Sequence, residues 1–175
     1  MKIVLNAGHT LHGAGSGAIG YINESAETRK VVSLVKHYLT GKGHEVVVAN
    51  IDKAGSQSAY LYGVARKANN EPDADLFVAI HFNAGGGTGC ECFTWRGNKI
   101  PAAVGICEEL NKLGYRNRGV KDGSNLYLIS KTKMPAVLVE VCFVDSKQDC
   151  VLYHRLGNQV AQAITRGILQ TVDKF

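Results

Sequence analysis

The sequence is poor in proline and in tryptophan, with three prolines and one tryptophan among 175 residues. It also lacks internal repeats and low-complexity segments. The chain is therefore neither a repeat protein nor mainly a proline-rich or disordered segment. A chain of this length usually forms one domain and can bury a substantial core. We therefore predict a single globular domain over residues 1–175.

Long hydrophobic runs are absent as well. No stretch approaches the ~20 apolar residues that a membrane-spanning helix requires. Near the start, Lys2 is followed by only three apolar residues before polar ones begin, which is too short for the core of a secretory signal. We expect a protein made in the cytoplasm without a signal peptide and without membrane insertion.

The charge is basic but scattered. The formal net charge is +5, yet no basic run alternates with aromatic residues as a nucleic-acid groove would require. We expect no nucleic-acid partner, and the composition does not indicate an oligomeric state.

The five cysteines form no CxxC pair, and an odd number without framework spacing favours reduced thiols. Alternation in a strand places Cys90 and Cys92 on one face, where a structural pair is favoured over a metal site.

Short apolar runs alternate with helical patterns along the chain. Glu24 and Glu27 follow the N-cap candidate Asn23, and an acidic/amide pair, Asp145 and Gln148, resembles a capping box before the last helix. The predicted strands are 3–7, 45–51, 76–81, 90–95, 126–129 and 136–143, and the predicted helices are 23–41, 56–70, 101–113 and a last one from about 153 that includes Val172. This order predicts an α/β fold: a twisted, mostly parallel open sheet of about six strands with helices on both faces.

Three of the predicted strands end in, or carry, a chemically active side chain. His9 follows the first strand, His81 ends a run of five apolar residues, and Glu140 stands between two valines. The carboxyl ends of strands in open α/β sheets hold ligands, so we expect these groups at one edge of the sheet. His12 lies in the glycine-rich loop after the first strand and is a candidate substrate contact.

Two imidazoles and one carboxylate form a ligand set found at catalytic zinc. His9 and His81 supply the imidazoles, and Glu24 can supply the carboxylate from the first turn of the first helix. Zinc lowers the pKa of bound water to about 7, and a general base must then move the proton. Glu140 is the candidate base, and the alternative is a partly exposed strand glutamate.

Other motifs point to other chemistry but fit less well. The segment Gly15–Gly20 satisfies the dinucleotide pattern GxGxxG, yet it neither follows the strand at once nor opens the helix. No HExxH is present, which excludes a zinc site carried on one helix. Cys142 lies in an apolar run, which is typical of an inert thiol.

Four segments together resemble a known family. Asn6-Ala7-Gly8-His9, Asn23-Glu24, residues 74–84 (ADLFVAIHFNA) and residues 134–140 (MPAVLVE) resemble the zinc N-acetylmuramoyl-L-alanine amidases of the third amidase class. The order and spacing agree from residue 2 to about 170.

The resemblance implies that zinc is held by His9, Glu24 and His81, with Glu140 as the catalytic acid/base. It implies hydrolysis of the amide between the lactyl group of N-acetylmuramic acid and L-alanine, with peptidoglycan as the partner. The apparent lack of a signal peptide favours a phage or prophage endolysin that reaches the cell wall after holin-type release. No separate wall-binding domain is visible in the sequence.

The cleft rim departs from the family pattern at Thr10-Leu11 and at residues 51–53. Asn83, Arg118 and His12 are the candidate substrate-binding residues. Three alternatives stay open: another zinc peptidase or carboxypeptidase acting on wall peptides, a catalytically inactive wall-binding module, and a Rossmann-type nucleotide binder.

Overall fold

A computed structural model describes residues 1–171 as a three-layer α/β protein. Six strands, five helices and a 3₁₀ turn at Trp95–Gly97 follow one another along the chain. The strands are β1 (Lys2–Ala7), β2 (Glu45–Val48), β3 (Leu76–Asn83), β4 (Cys90–Thr94), β5 (Asn117–Asp122) and β6 (Ala136–Phe143), and the helices are α1 (Glu24–Gly41), α2 (Gln57–Asn69), α3 (Pro101–Lys112), α4 (Tyr127–Lys131) and α5 (Lys147–Leu169).

The strands form one sheet in the order β2-β1-β3-β6-β4-β5. All neighbours are parallel except β4 and β6, which pair antiparallel. The register places His81 of β3 beside Glu140 of β6, and Glu140 in turn beside Glu91 of β4. The predicted mostly parallel sheet of about six strands is confirmed.

Each face of the sheet is covered by helices. Alternate residues of β1 point to opposite faces: Leu5 joins the larger core with α1, α3 and α5, whereas Val4 joins a smaller core with α2 and α4. Burial on both faces explains why the central strands are almost continuously apolar in sequence. The expected helices on both faces are confirmed.

Helix starts agree with the capping signals in two places. The Asn23 side chain accepts a hydrogen bond from the Ala26 backbone N–H at 3.1 Å, and Pro101 is the first residue of α3. Both features satisfy or avoid the unpaired N–H groups of a first helical turn. Among residues 1–171, no helix is both long enough and apolar enough to span a bilayer.

Two predicted elements were wrong in type or missed. Residues 126–129, predicted as a strand, lie mostly in helix α4, because a short apolar run fits either element until its packing is known. Strand β5 (Asn117–Asp122) was not predicted, since it is a polar edge strand with a glycine and little buried surface.

Two boundaries also differ. Helix α5 begins at Lys147 rather than near residue 153, and its N-cap is Ser146, not Asp145. The Asp145 carboxylate instead accepts the backbone N–H groups of Gly85 and Gly86, both at 2.8 Å. Strand β2 ends at Val48 instead of residue 51, and Val172 lies outside the described residues.

Candidate active site

His9 lies two residues beyond β1 in the left-handed region of backbone space, with φ of 66°. The Arg29 guanidinium donates to the His9 carbonyl at 3.0 Å and stabilises this turn. The His9 Nδ1 lies 3.0 Å from the Gly15 carbonyl, which can only accept, so Nδ1 carries the proton. The lone pair of Nε2 is therefore free for a ligand, an arrangement typical of metal-binding histidines.

Glu24 is the first residue of α1, and its carboxylate is buried between the two histidines. Its Oε1 lies 3.2 Å from Nε2 of His9 and 3.2 Å from Nδ1 of His81. The backbone N–H groups of Ala18 and Phe82 donate to Oε2 and Oε1 at 2.9 and 3.1 Å. These bonds fix the carboxylate between the loop that precedes α1 and strand β3.

Two glycines leave the space that the three side chains occupy. A Cβ at Gly8 would lie 2.5 Å from the His81 ring, and one at Gly17 would lie 2.6 Å from Oε2 of Glu24. Real Cβ atoms do not approach this closely, so both positions exclude larger residues. The glycine-rich loop therefore closes over the cluster, and this packing accounts for Gly17 of the GxGxxG pattern.

The three side chains fit a zinc ion. Atoms bound tetrahedrally at about 2.0–2.1 Å from a zinc ion lie roughly 3.3 Å from one another, and Oε1 of Glu24 lies 3.2 Å from the nearest nitrogen of each histidine. The set of two neutral nitrogens and one carboxylate oxygen also matches catalytic zinc. Within residues 1–171, this is the only cluster of three or more potential metal ligands.

The charges in the cluster are strongly coupled. Burial opposes ionisation of Glu24, but its hydrogen bonds with His81 and His9 outweigh burial and lower the pKa of the carboxyl. Burial lowers the pKa of His81, whereas the Glu24 carboxylate overcomes burial and raises the pKa of His9. The cluster thus favours an ionised Glu24 and a neutral His81, which are the forms that bind metal, whereas the raised pKa of His9 means that a metal ion must displace a proton there.

Glu140 lies beside this cluster on β6. Its Oε2 is enclosed and has no hydrogen-bond partner among the described residues. Burial raises the pKa of Glu140 well above its usual value, and the nearby charges of Glu24 and Glu91 raise it further. A buried carboxyl group with a raised pKa at the edge of a cleft is a candidate general acid/base.

An open cleft of about 470 Å³ joins these groups. His9, His81, Asn83 and Glu140 form its polar end. The remaining lining is largely apolar and aromatic, and comprises Gln57, Tyr60, Leu61, Phe93, Asn125, Leu126, Tyr127, Leu128 and Leu138. A ligand in this cleft would contact the cluster at one end and apolar side chains elsewhere.

The other candidate residues occupy different places. Asn83 lines the cleft, whereas Arg118 lies on β5 over the Phe143 ring, 5.1 Å from its centroid. His12 is exposed on its loop, and its ring is not part of the metal-ligand cluster. Substrate roles for all three stay predictions.

The structure also adds a residue that the sequence reasoning missed. Glu91 is buried on β4, where it accepts hydrogen bonds from Asn83 at 2.8 Å and from Arg118 at 2.9 Å. Alternation with Cys90 and Cys92, both buried with free thiols, indicated that Glu91 faces the opposite side. The antiparallel register with Glu140 was the information that the sequence did not contain.

Fold and site together define an α/β protein with a His–Glu–His cluster and a separate buried carboxyl at the carboxyl edge of its sheet. The model of the family "N-acetylmuramoyl-L-alanine amidase" matches residues 3–170. The chain belongs to this amidase family, as the sequence segments predicted.

Individual relatives agree with this assignment. The chain is 33% identical to an endolysin of Bacillus phage SPP1, with 97% of this chain and 65% of the endolysin covered. It is 36% identical to an uncharacterised protein of Clostridium perfringens, with 94% of this chain and 51% of that protein covered. The chain therefore spans about half to two thirds of these curated relatives.

Solved structures show the same fold. The catalytic domain of the CD27L endolysin, which targets Clostridia Difficile, superposes with a TM-score of 0.89 at 28% identity, covering 97% of both chains. The catalytic domain of the N-acetylmuramoyl-L-alanine amidase CwlV from Bacillus (Paenibacillus) polymyxa var. colistinus gives a TM-score of 0.81 at 28% identity, covering 98% of both chains.

Proposed function

We propose that this chain hydrolyses the amide bond between N-acetylmuramic acid and L-alanine in bacterial peptidoglycan, with zinc bound by His9, Glu24 and His81. The observation that carries the proposal is the cluster itself: Glu24 Oε1 lies 3.2 Å from a nitrogen of each histidine, beside the buried Glu140 carboxyl. Family membership supplies the substrate class.

A zinc ion at this site would act as a Lewis acid that makes water nucleophilic at neutral pH and polarises the substrate carbonyl. The residues of this chain provide the rest. His9 is held by the bond from its Nδ1 to the Gly15 carbonyl, and Glu24 is held by the backbone N–H groups of Ala18 and Phe82. His81 is held by its contact with Glu24.

Glu140 moves the proton. As a carboxylate it accepts a proton at Oε2 from the attacking water, and as an acid it gives this proton to the nitrogen of the departing L-alanine. The raised pKa of Glu140 favours the acid step, because a carboxyl group that holds its proton more tightly than usual can carry it to the departing nitrogen. The apolar wall of the cleft limits the access of bulk water to this carboxyl.

The biological setting follows from the same proposal. The partner is peptidoglycan, and residues 1–175 form one catalytic domain. The SPP1 relative is named an endolysin, and other relatives are named N-acetylmuramoyl-L-alanine amidases. We infer that the chain acts on the cell wall, in an endolysin-like role that includes holin-type release.

The test is mass spectrometry of purified peptidoglycan digested by the protein with zinc, with a chelator, and with zinc restored. We expect stem peptides with a free L-alanine amine and intact glycan strands, and we expect this product to vanish with the chelator and to return with zinc. Cleavage within the stem peptide would indicate a wall peptidase instead. Binding to walls without any product, together with a zinc-loaded protein, would indicate a non-catalytic module.

A further inference from the structure

Glu91 is a buried carboxylate beside the cleft that the proposed mechanism does not use. Its side chain is 6% exposed, and both of its oxygens accept hydrogen bonds from side chains. Oε1 accepts from Nδ2 of Asn83 at 2.8 Å, and Oε2 accepts from Nε of Arg118 at 2.9 Å. A buried charge is tolerated only when it is paired and hydrogen-bonded in this way.

At one end of this network, two hydrogen bonds fix the side-chain amide of Asn83. Its Oδ1 accepts the Ala84 backbone N–H at 2.8 Å, while its Nδ2 donates to Glu91. Asn83 also lines the cleft together with His81 and Glu140. The Glu91 carboxylate therefore fixes the orientation of the Asn83 side-chain amide, with Nδ2 toward Glu91 and Oδ1 toward the Ala84 backbone N–H.

At the other end of the network, the Arg118 guanidinium is held through one nitrogen, and its remaining N–H groups are available to a ligand. It donates through Nε to Glu91 and lies over the Phe143 ring, 5.1 Å from the centroid. In the described part of the chain its two terminal nitrogens donate to no protein group, and the side chain is 32% exposed. A planar guanidinium held along one edge presents its other edge to a carboxylate.

We propose that Glu91 is a positioning residue, which fixes Asn83 and Arg118 as one unit so that the terminal nitrogens of Arg118 bind a carboxylate of the substrate peptide. This inference rests on the proposed amidase function for its substrate. It makes the enzyme selective for stem peptides that carry a free carboxylate over the same peptides with that group amidated.

A matched control lies elsewhere in the molecule. Glu109 is a buried glutamate, 8% exposed at its side chain, that pairs with Arg166 and Lys112 on the α3–α5 side. Glu109→Gln removes a buried, arginine-paired charge as Glu91→Gln does. Glu91 hydrogen-bonds to the cleft-lining Asn83, whereas neither Glu109 nor its partners Arg166 and Lys112 line the cleft. Any effect that comes from losing such a pair alone will be seen in both variants.

The experiment measures kcat and KM on two soluble N-acetylmuramoyl-L-alanyl peptides, one with a free carboxylate and one amidated. For the free acid, we expect Glu91→Gln to raise KM about tenfold, as for the loss of one charge-assisted hydrogen bond. Because Glu91 lies beside the catalytic Glu140 in the sheet, any change in kcat should be the same for the two peptides. The amidated peptide should show no such increase. Glu91→Asp, which keeps the charge, should recover part of the loss, and Glu109→Gln should match the wild type on both substrates.

A double-mutant cycle shows whether Glu91 acts through Arg118. We expect Glu91→Gln combined with Arg118→Ala to bind the free acid no more weakly than Arg118→Ala alone. Additive losses, equal KM increases for both substrates, or a fall in kcat at unchanged KM would each overturn the proposal. If Glu91→Gln fails to fold, Arg118→Ala alone must still remove the preference for the acid.

A second readout separates this inference from the amidase proposal. Calorimetric binding of the free stem peptide, as acid and as amide, needs no turnover. If the wild type hydrolyses neither substrate but binds the acid more tightly, and Arg118→Ala abolishes this preference, then the amidase function fails while the positioning role stands. Equal binding of acid and amide by the wild type overturns the positioning role.

Discussion

Single residues in this protein are placed for chemistry at a cost to stability. His9 adopts a left-handed backbone conformation, and Glu140 has a buried oxygen without a hydrogen-bond partner among the described residues. Both features are unfavourable for folding alone, by roughly 1–3 kcal/mol each. Their position around a common cleft indicates that the site, rather than the core, determines these residues.

Glu140→Gln should abolish hydrolysis and leave zinc binding intact. Glutamine has nearly the same shape but cannot exchange a proton, and general acid–base groups contribute about 10²–10⁴-fold to rate. The measurements are peptidoglycan turnover and zinc content of the purified variant. A fully active variant would refute the assigned role of Glu140, and a zinc-free variant would show that the substitution disturbs the cluster instead.

The same substitution should stabilise the metal-free protein, increasingly so as pH rises. The pKa of Glu140 is raised in the folded state, mainly by burial, so the folded state keeps a proton that the unfolded state loses above its ordinary pKa. Stability therefore falls with rising pH between the unfolded and the folded pKa values, and glutamine removes this loss. Urea unfolding at pH 4 and pH 7.5 tests this, and an equal difference at both values would contradict it.

Gly8→Ala should weaken zinc binding by about 10–100-fold, as outer contacts of metal ligands do when altered. The added Cβ would lie 2.5 Å from the His81 ring and force the ring to move. Competition with a chelating dye measures the affinity. Gly41→Ala is the control, because nothing lies within 4 Å of its Cβ position, and the prediction fails if both variants bind zinc equally.

At this scale the sequence was informative where a polar side chain ended an apolar strand. His81 and Glu140 were identified in this way, and the structure brings them side by side. Glu91 was not identified, because a carboxylate between two cysteines is indistinguishable from an ordinary strand residue until the antiparallel partner of β4 is known. The register depends on how two strands pair and cannot be derived from the sequence of either strand alone.

At the scale of whole elements, the loop after β3 and the start of α5 form one structural unit. The Asp149 carboxylate in the first turn of α5 accepts the backbone N–H groups of Gly89 at 2.8 Å and of Phe143 at 3.0 Å. Asp145 holds Gly85 and Gly86 in the same way. Two carboxylates thus fasten the glycine-rich connection between β3 and β4 to the end of β6.

Asp149→Ala should therefore destabilise the fold by about 3 kcal/mol, since two buried N–H groups lose a charged acceptor. Chemical denaturation measures the free energy of unfolding. Lys147→Ala, an exposed change in the same helical turn, should have an effect within about 0.5 kcal/mol. Equal effects of the two substitutions would contradict the role assigned to Asp149.

The elements themselves could be predicted to different degrees. Buried strands and long amphipathic helices have strong periodic signals, and these were predicted correctly in type. Strand β5 and helix α4 were not, because a polar edge strand and a five-residue helix depend on tertiary contacts for their structure. The early start of α5 was missed because the predicted start followed the apolar face of the helix, which begins near residue 153, whereas the helix begins at Lys147.

At the scale of the whole molecule, the cluster links distant parts of the chain. His9 follows β1, Glu24 starts α1 and His81 belongs to β3, so the carboxylate and His81 are separated by 57 positions. A ligand that binds all three side chains is bound only by the folded protein. Such binding stabilises the fold by mass action.

Zinc should consequently raise the Tm, and a chelator should lower it. At a free zinc concentration 100 times the Kd, the expected stabilisation is about 2.7 kcal/mol. Thermal unfolding with and without chelator measures the shift. His81→Ala should show no response to either, and a zinc-dependent Tm in that variant would place the metal elsewhere.

The distance along the chain between Glu24 and His81 also has a consequence for the speed of folding. The 3.2 Å contact between them joins the first residue of α1 to strand β3, and we expect a contact between segments this far apart in the sequence to form late in folding. Interactions that are absent from the transition state change the rate of unfolding and leave the rate of folding nearly unchanged. We therefore expect metal binding to the cluster to slow unfolding and so lengthen the lifetime of the native state, while leaving the rate of folding nearly unchanged.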